Sequence, residues 1–141
     1  MNERRQIDPL RILLADDNPD ALLTLRLLLE DDGHAVHTLS AGDGVVDAVR
    51  AFKPDVCILD IEMPGAIGYA IAGELRAIYG SFRPLMIAVS GKWSRASDKL
   101  LALTCGFDHF LEKPVYPQVI AQILDHVGRT RNAAARASGE F

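Results

Sequence analysis

The ten residues VCILDIEMPG, numbered 56–65, decide how the rest of the chain is read. Four apolar residues, Val56 to Leu59, run directly into a carboxylate, Asp60, and then into a Met-Pro-Gly turn, with Lys53-Pro54-Asp55 as punctuation in front. A continuous apolar run of that length between turn residues reads as a strand buried on both faces, the form typical of parallel sheets. Asp60 then stands at the carboxyl end of the strand, the edge where open α/β sheets bind their ligands. Taken alone, a strand-ending aspartate is more readily a turn former or a helix cap.

Similar runs recur at Arg11 to Ala15, Ala35 to Leu39, Leu85 to Val89 and Phe107 to Leu111, and stretches of helical periodicity fill the gaps. The first helix opens on Asn18-Pro19-Asp20, a cap followed by proline at the first helical position, and closes at Gly33. Leu22, Leu25, Leu28 and Leu29 form its apolar stripe. Further helices are expected over Asp43 to Phe52, Gly68 to Tyr79, Ser94 to Cys105 and Pro117 to Val127. Strands joined by single helices must be parallel with right-handed crossovers, so helices cover both faces of one sheet. The expected architecture is an α/β three-layer sandwich, followed by a C-terminal tail that extends the last helix or frays.

The bulk composition limits the function. With 141 residues, 49% hydrophobic and 24% charged, the chain has the mixture of one domain with a proper core. A formal net charge of -4 argues against a nucleic-acid surface, which needs clustered Lys and Arg. No apolar run reaches membrane-spanning length, and the N-terminal segment lacks the uninterrupted apolar core of a signal peptide, so a cytoplasmic protein is expected, with neither a membrane nor a nucleic acid as direct partner. Cys57 and Cys105 give no disulfide framework and no zinc spacing, and read as small buried fillers. His34 and His37 do not form a metal pair, since strand residues three apart point to opposite faces.

Four strand endings make a chemically coherent set: Asp16-Asp17 after the first, Asp60 at the third, Ser90 at the fourth and Lys113-Pro114 after the fifth. In a parallel sheet these ends share one edge. Two carboxylates at about 4 Å repel by roughly 4 kcal/mol at an effective dielectric of 20, so three together call for a compensating cation. Oxygen-only ligands at an open edge suit a hard ion, and Mg²⁺ retains waters and seeks phosphate oxygens; Mn²⁺ is the alternative. The outline is that of a phosphoryl-transfer site. Asp60 is the candidate nucleophile, Lys113 the neutralising cation and Ser90 a hydroxyl donor to a phosphoryl oxygen.

The segments LLADDNPD, CILDIEMPG with Gly68, IAVSGK and FLEKPV, separated by 44, 30 and 23 residues from Asp16 to Asp60 to Ser90 to Lys113, together resemble the receiver domain of two-component response regulators. The resemblance covers residues 9–127, leaving 1–8 as a lead-in and 128–141 as the tail. It implies a flavodoxin-like fold with strand order 2-1-3-4-5. It further implies Mg²⁺ held by Asp17, Asp60 and the Glu62 backbone carbonyl with Asp16 acting through water, a cis Lys113-Pro114 peptide, and a switch pair formed by Ser90 and Phe110. The implied partners are a histidine kinase or phosphotransfer protein as donor and a downstream protein target. The implied context is a stand-alone receiver or the receiver of a hybrid histidine kinase.

Three rivals arise at this level, and the first is set aside on its loop. A flavin-binding protein of the same sheet order needs a glycine- and hydroxyl-rich loop where this chain has DDNPD. A haloacid-dehalogenase-like phosphatase shares the carboxylate spacing of Asp60 and Glu62, but carries its nucleophile on the first strand. A phosphorylation-independent interaction module on the same fold is the third. Two further readings concern the loops: an ion pair between Glu62 and Lys92, and Trp93 as a fluorescence reporter of the site.

Overall fold

The computed structural model describes residues 8–63, 68–80, 84–91 and 96–138. Five strands and five helices alternate: β1 (Arg11–Ala15), α1 (Pro19–Asp31), β2 (Ala35–Leu39), α2 (Val45–Phe52), β3 (Val56–Asp60), α3 (Gly68–Tyr79), β4 (Leu85–Ser90), α4 (Ala96–Cys105), β5 (His109–Glu112) and α5 (Pro117–Ser138). All pairings are parallel and the order is β2-β1-β3-β4-β5. The order reverses between β1 and β3, so a crevice opens where Asp16 and Asp60 emerge.

Side-chain alternation along the three central strands sorts the core into two layers. Ile12, Leu14, Val56, Ile58, Ile87 and Val89 pack with Leu29 of α1 and with Ile120 and Leu124 of α5. Leu13, Ala15, Cys57, Leu59, Met86 and Ala88 face α2, α3 and α4 through Val45, Val49, Ile71, Leu75 and Ala102. All five residues of β3 are buried, as the continuous apolar run requires. By the same alternation Asp60 continues the α1/α5 row and Ser90 the α2/α3/α4 row.

Several boundaries differ from expectation for local reasons. β5 begins two residues late because α4 ends in a Schellman turn. Gly106 takes φ 124° and the Phe107 N–H bonds back to the Ala102 carbonyl, which removes Phe107 from the ladder and buries it. α2 starts at Val45 because Gly44 sits in the left-handed region. α5 continues to Ser138, past the expected end at Val127. The cap of α1 is as expected, with Asn18 Oδ1 accepting from the N–H groups of Asp20 and Ala21. Its leucine stripe, however, is not sealed: Leu29 is buried, Leu22 and Leu25 are half-buried and Leu28 is exposed. Cys57 is buried, and burial pushes its thiol pKa up, whereas Cys105 is only half-buried.

His34 and His37 do separate work. His37 lies against the ring of Phe52. His34, in the turn before β2, is buried and its Nδ1 accepts from the Leu10 N–H at 3.0 Å. Burial lowers its pKa, against the opposing charge of Asp32. The unfolded chain therefore binds a proton more readily than the folded one below about pH 6.5. Stability owed to neutral His34 is fully present above that pH and is lost as pH falls through the lowered folded value. In urea titrations between about pH 7.5 and 5, wild type is expected to lose stability more steeply than His34→Gln. Parallel profiles would exclude His34 as the source.

Candidate functional site

Backbone bonds across the carboxyl ends of the strands hold the site loops in place. The Asp16 N–H donates to the Leu39 carbonyl, the Ile61 N–H to Val89, and the Lys113 N–H to Ser90 at 2.7 Å. The Asn18 N–H donates to Asp16 Oδ1 at 2.9 Å, so the residue that caps α1 also fixes the first acidic side chain. Gly68 begins α3 hard against the loop after β3: a Cβ there would lie 2.8 Å from the Ile61 Cα.

Asp60 is 3% exposed. Its Oδ1 accepts from the Glu62 N–H at 2.9 Å and its Oδ2 accepts from Lys113 Nζ at 2.9 Å. Lys113 also lies 3.4 Å from Asp16 Oδ2. Carboxylate oxygens of Asp16, Asp17 and Asp60 all fall within 4.8 Å of one another. One ammonium thus faces three acids, a deficit that a divalent cation matches in charge and donor type.

Electrostatics follow from this crowding. Asp16 has a raised pKa, chiefly because burial penalises its charge and further because Asp60 repels it; the Asn18 N–H and Lys113 oppose the shift. Burial by itself would lower the pKa of Lys113. The hydrogen bond to Asp60 and the charges of Asp16 and Asp60 outweigh it, so the ammonium is held above its usual value. The Lys113-Pro114 peptide is cis.

The structure brings Asp16, Asp17, Asp60 and Lys113 together, with Ser90 on the next strand end. The Glu62 carboxylate has a role that was not foreseen. Its Oε1 accepts from Ser90 Oγ at 3.1 Å and from the Gly91 N–H at 3.3 Å. Lys92, the partner expected from sequence, and Trp93 lie outside the described residues, as does the Pro64-Gly65 turn. Phe110 is half-buried on the α2/α3/α4 side, opposite Ala88 in register and on the same face as Ser90. On the other face, between α1 and the β5–α5 connection, a cavity of about 430 Å³ lined by Leu22, Leu25, Leu28 and Val115 reaches Asp60 and Lys113.

The family description "Response regulator receiver domain" matches residues 12–125. The chain belongs to the response regulator receiver family. This receiver is 35% identical over 124 residues to the transcriptional regulatory protein KdpE of Mycobacterium tuberculosis, covering 87% of this chain and 53% of that one. It is 33% identical over 116 residues to the sensor protein GacS of Pseudomonas syringae pv. syringae, covering 81% of this chain and 13% of GacS. The chain therefore spans about half of the one relative and a small part of the other. Its fold is shared with a two-component response regulator from Clostridium difficile at a TM-score of 0.79 and 20% identity, over 90% of this chain and 99% of that one.

Membership makes the chain a signalling phosphoacceptor module, and the Asp16, Asp17 and Asp60 cluster fits that class. The phosphatase rival is set aside, because the buried carboxylate stands on the third strand of a receiver fold. Among the described residues no helix is long and apolar enough to cross a membrane.

Proposed function

We propose that this receiver takes a phosphoryl group from a phosphohistidine onto Asp60, in a reaction that needs a divalent cation, and thereby changes the surface it offers to a downstream protein. The observation that carries this reading is the pairing of a buried Asp60 with Lys113 at 2.9 Å inside a three-carboxylate cluster. An Asp60 oxygen forms the new P–O bond as the P–N bond of the donor breaks, and the departing imidazole nitrogen takes up a proton. Lys113 neutralises a phosphoryl oxygen that Asp60 brings within its reach, and the Ser90 hydroxyl donates to another. Asp16, Asp17, Asp60 and the Glu62 carbonyl would hold Mg²⁺ or Mn²⁺, which supplies charge neutralisation at the phosphoryl oxygens. The only chemistry asked of the protein is its own phosphorylation and dephosphorylation.

The cavity beside Lys113 suits the approach of a donor, whose imidazole must reach Asp60 along the α1 side. The donor is a histidine kinase or phosphotransfer protein, and the reading places the receiver in the cytoplasm, either alone or as part of a hybrid kinase. Movement of Ser90 toward the phosphoryl group vacates space on the α4 side of the sheet, where Phe110 can follow by packing alone.

The test is incubation with acetyl phosphate and Mg²⁺ followed by intact mass. A gain of one phosphoryl group is expected, and no gain in saturating Mg²⁺ would overturn the reading. Chelation should stop labelling while leaving the circular dichroism spectrum unchanged. Asp17→Asn is expected to weaken Mg²⁺ affinity by about tenfold or more, since even outer partners of a metal site carry that much. Calorimetric affinity equal to that of wild type would remove Asp17 from the ligand set.

A further inference from the structure

We propose that Glu62 is a latch that holds Ser90 away from the phosphoryl site in the resting receiver, so that the Glu62–Ser90 bond and phosphorylation of Asp60 exclude each other. The inference deepens the phosphoacceptor reading and rests on it.

A serine hydroxyl has one proton to donate. In the structure Ser90 Oγ gives it to Glu62 Oε1 at 3.1 Å. A phosphoryl oxygen on Asp60 would require the same proton, so one bond must break for the other to form. The acceptor in the resting state is a carboxylate, which makes the competing bond stronger than one to a neutral group. It is also seated twice, because the same Oε1 accepts from the Gly91 N–H at 3.3 Å. The bare Cα of Gly91 permits this seat: a Cβ there would stand 3.0 Å from Glu62 Oε2.

The latch is joined to the acceptor through its own backbone. The Glu62 N–H donates to Asp60 Oδ1 at 2.9 Å, so one residue is bonded by its main chain to Asp60 and by its side chain to Ser90. Phosphorylation replaces the single negative charge of Asp60 with about 1.5 to 2 charges on the acyl phosphate, a net gain of about 0.5 to 1 near that carboxylate. Repulsion then weakens the latch just as the phosphoryl oxygens begin to compete for Ser90. Two arrangements of one hydroxyl, each favoured by a different acceptor, make a two-state element whose balance Glu62 sets. Alternation along β4 puts Ser90 on the face shared with Phe110, so release of the hydroxyl is felt on the α4 side of the sheet.

The experiment measures the affinity for beryllofluoride with Mg²⁺, a tetrahedral mimic of the acyl phosphate, in wild type, Glu62→Ala, Ser90→Ala and the double variant. Glu62 is exposed, so its replacement spares the core. Glu62→Ala is expected to tighten binding by about five- to tenfold, the scale of one ordinary net hydrogen bond, since the bond is made at an exposed carboxylate. In the Ser90→Ala background the same replacement should tighten binding by less than about twofold, because no hydroxyl is left to release. An equal gain in both backgrounds would mean that Glu62 acts by charge repulsion alone and would overturn the latch. Unchanged or weaker binding in Glu62→Ala would overturn it as well. Failure of wild type itself to bind beryllofluoride is a different result: it removes the phosphoacceptor reading, and the latch with it.

Discussion

Asp60→Asn is expected to abolish the mass gain from acetyl phosphate completely, while the protein stays folded. The amide cannot act as the nucleophile, and neither neighbouring acid can take its place. Asp16 Oδ1 is held by the Asn18 N–H, and its raised pKa reflects a buried site that penalises its charge. Asp17 is exposed, and Lys113 forms its ion pairs with Asp16 and Asp60. The single carbonyl oxygen of asparagine can accept from the Glu62 N–H or from Lys113, so one of two bonds is lost. Against that loss, one of three crowded carboxylates disappears, and each close pair costs roughly 4 kcal/mol at an effective dielectric of 20. The thermal midpoint is therefore expected to hold or rise. A one-phosphoryl mass shift persisting in this variant, with the modified residue mapped elsewhere, would sink the assignment of Asp60.

Much of this site was legible because its parts stand at the ends of short apolar runs, and in a parallel sheet run ends converge whatever the loops between them do. β1, β2 and α3 run between the residues expected, and Asp16, Asp17, Asp60, Ser90 and Lys113 meet on one edge. Bonds set by side-chain reach between loops were not legible. Glu62 and Ser90 are 28 residues apart, and nothing in periodicity distinguishes a carboxylate aimed at Ser90 from one aimed at Lys92. The glycine beside Ser90 was the available clue, since a residue without Cβ admits a close neighbour. Two further departures have other origins. The start of β5 is displaced by a helix-terminal turn, and the α1 stripe stands open over the cavity because helix patterning shows which face is apolar without showing how closely another element covers it.

At the opposite edge, Arg76→Ala is expected to cost about 2 to 3 kcal/mol of stability, the range for hydrogen bonds and partly buried ion pairs to a charged group. On sequence Arg76 is an ordinary helical cation, yet its side chain is only 14% exposed and joins three segments. Nε donates to the Gly106 carbonyl at 2.8 Å and Nη1 to the Pro84 carbonyl at 2.9 Å and the Gly80 carbonyl at 3.3 Å. Nη2 meets Asp108 Oδ2 at 2.6 Å, an oxygen that also accepts from the Met86 N–H. The end of α3, the start of β4 and the entry to β5 are thus pinned by one guanidinium. Its stem also fills the space over Gly106, where a Cβ would fall 2.6 Å from the Arg76 Cγ. Lysine offers a compact ammonium that cannot span both carbonyls and the carboxylate, so Arg76→Lys should recover less than half of the loss. Because these bonds gather at the amino ends of β4 and β5, the rate of labelling by acetyl phosphate should match wild type at temperatures where the variant is folded. The measurement is urea unfolding at constant m-value, paired with that rate. A loss below about 0.5 kcal/mol, the level of an exposed ion pair, would show that the guanidinium is not what holds these segments together.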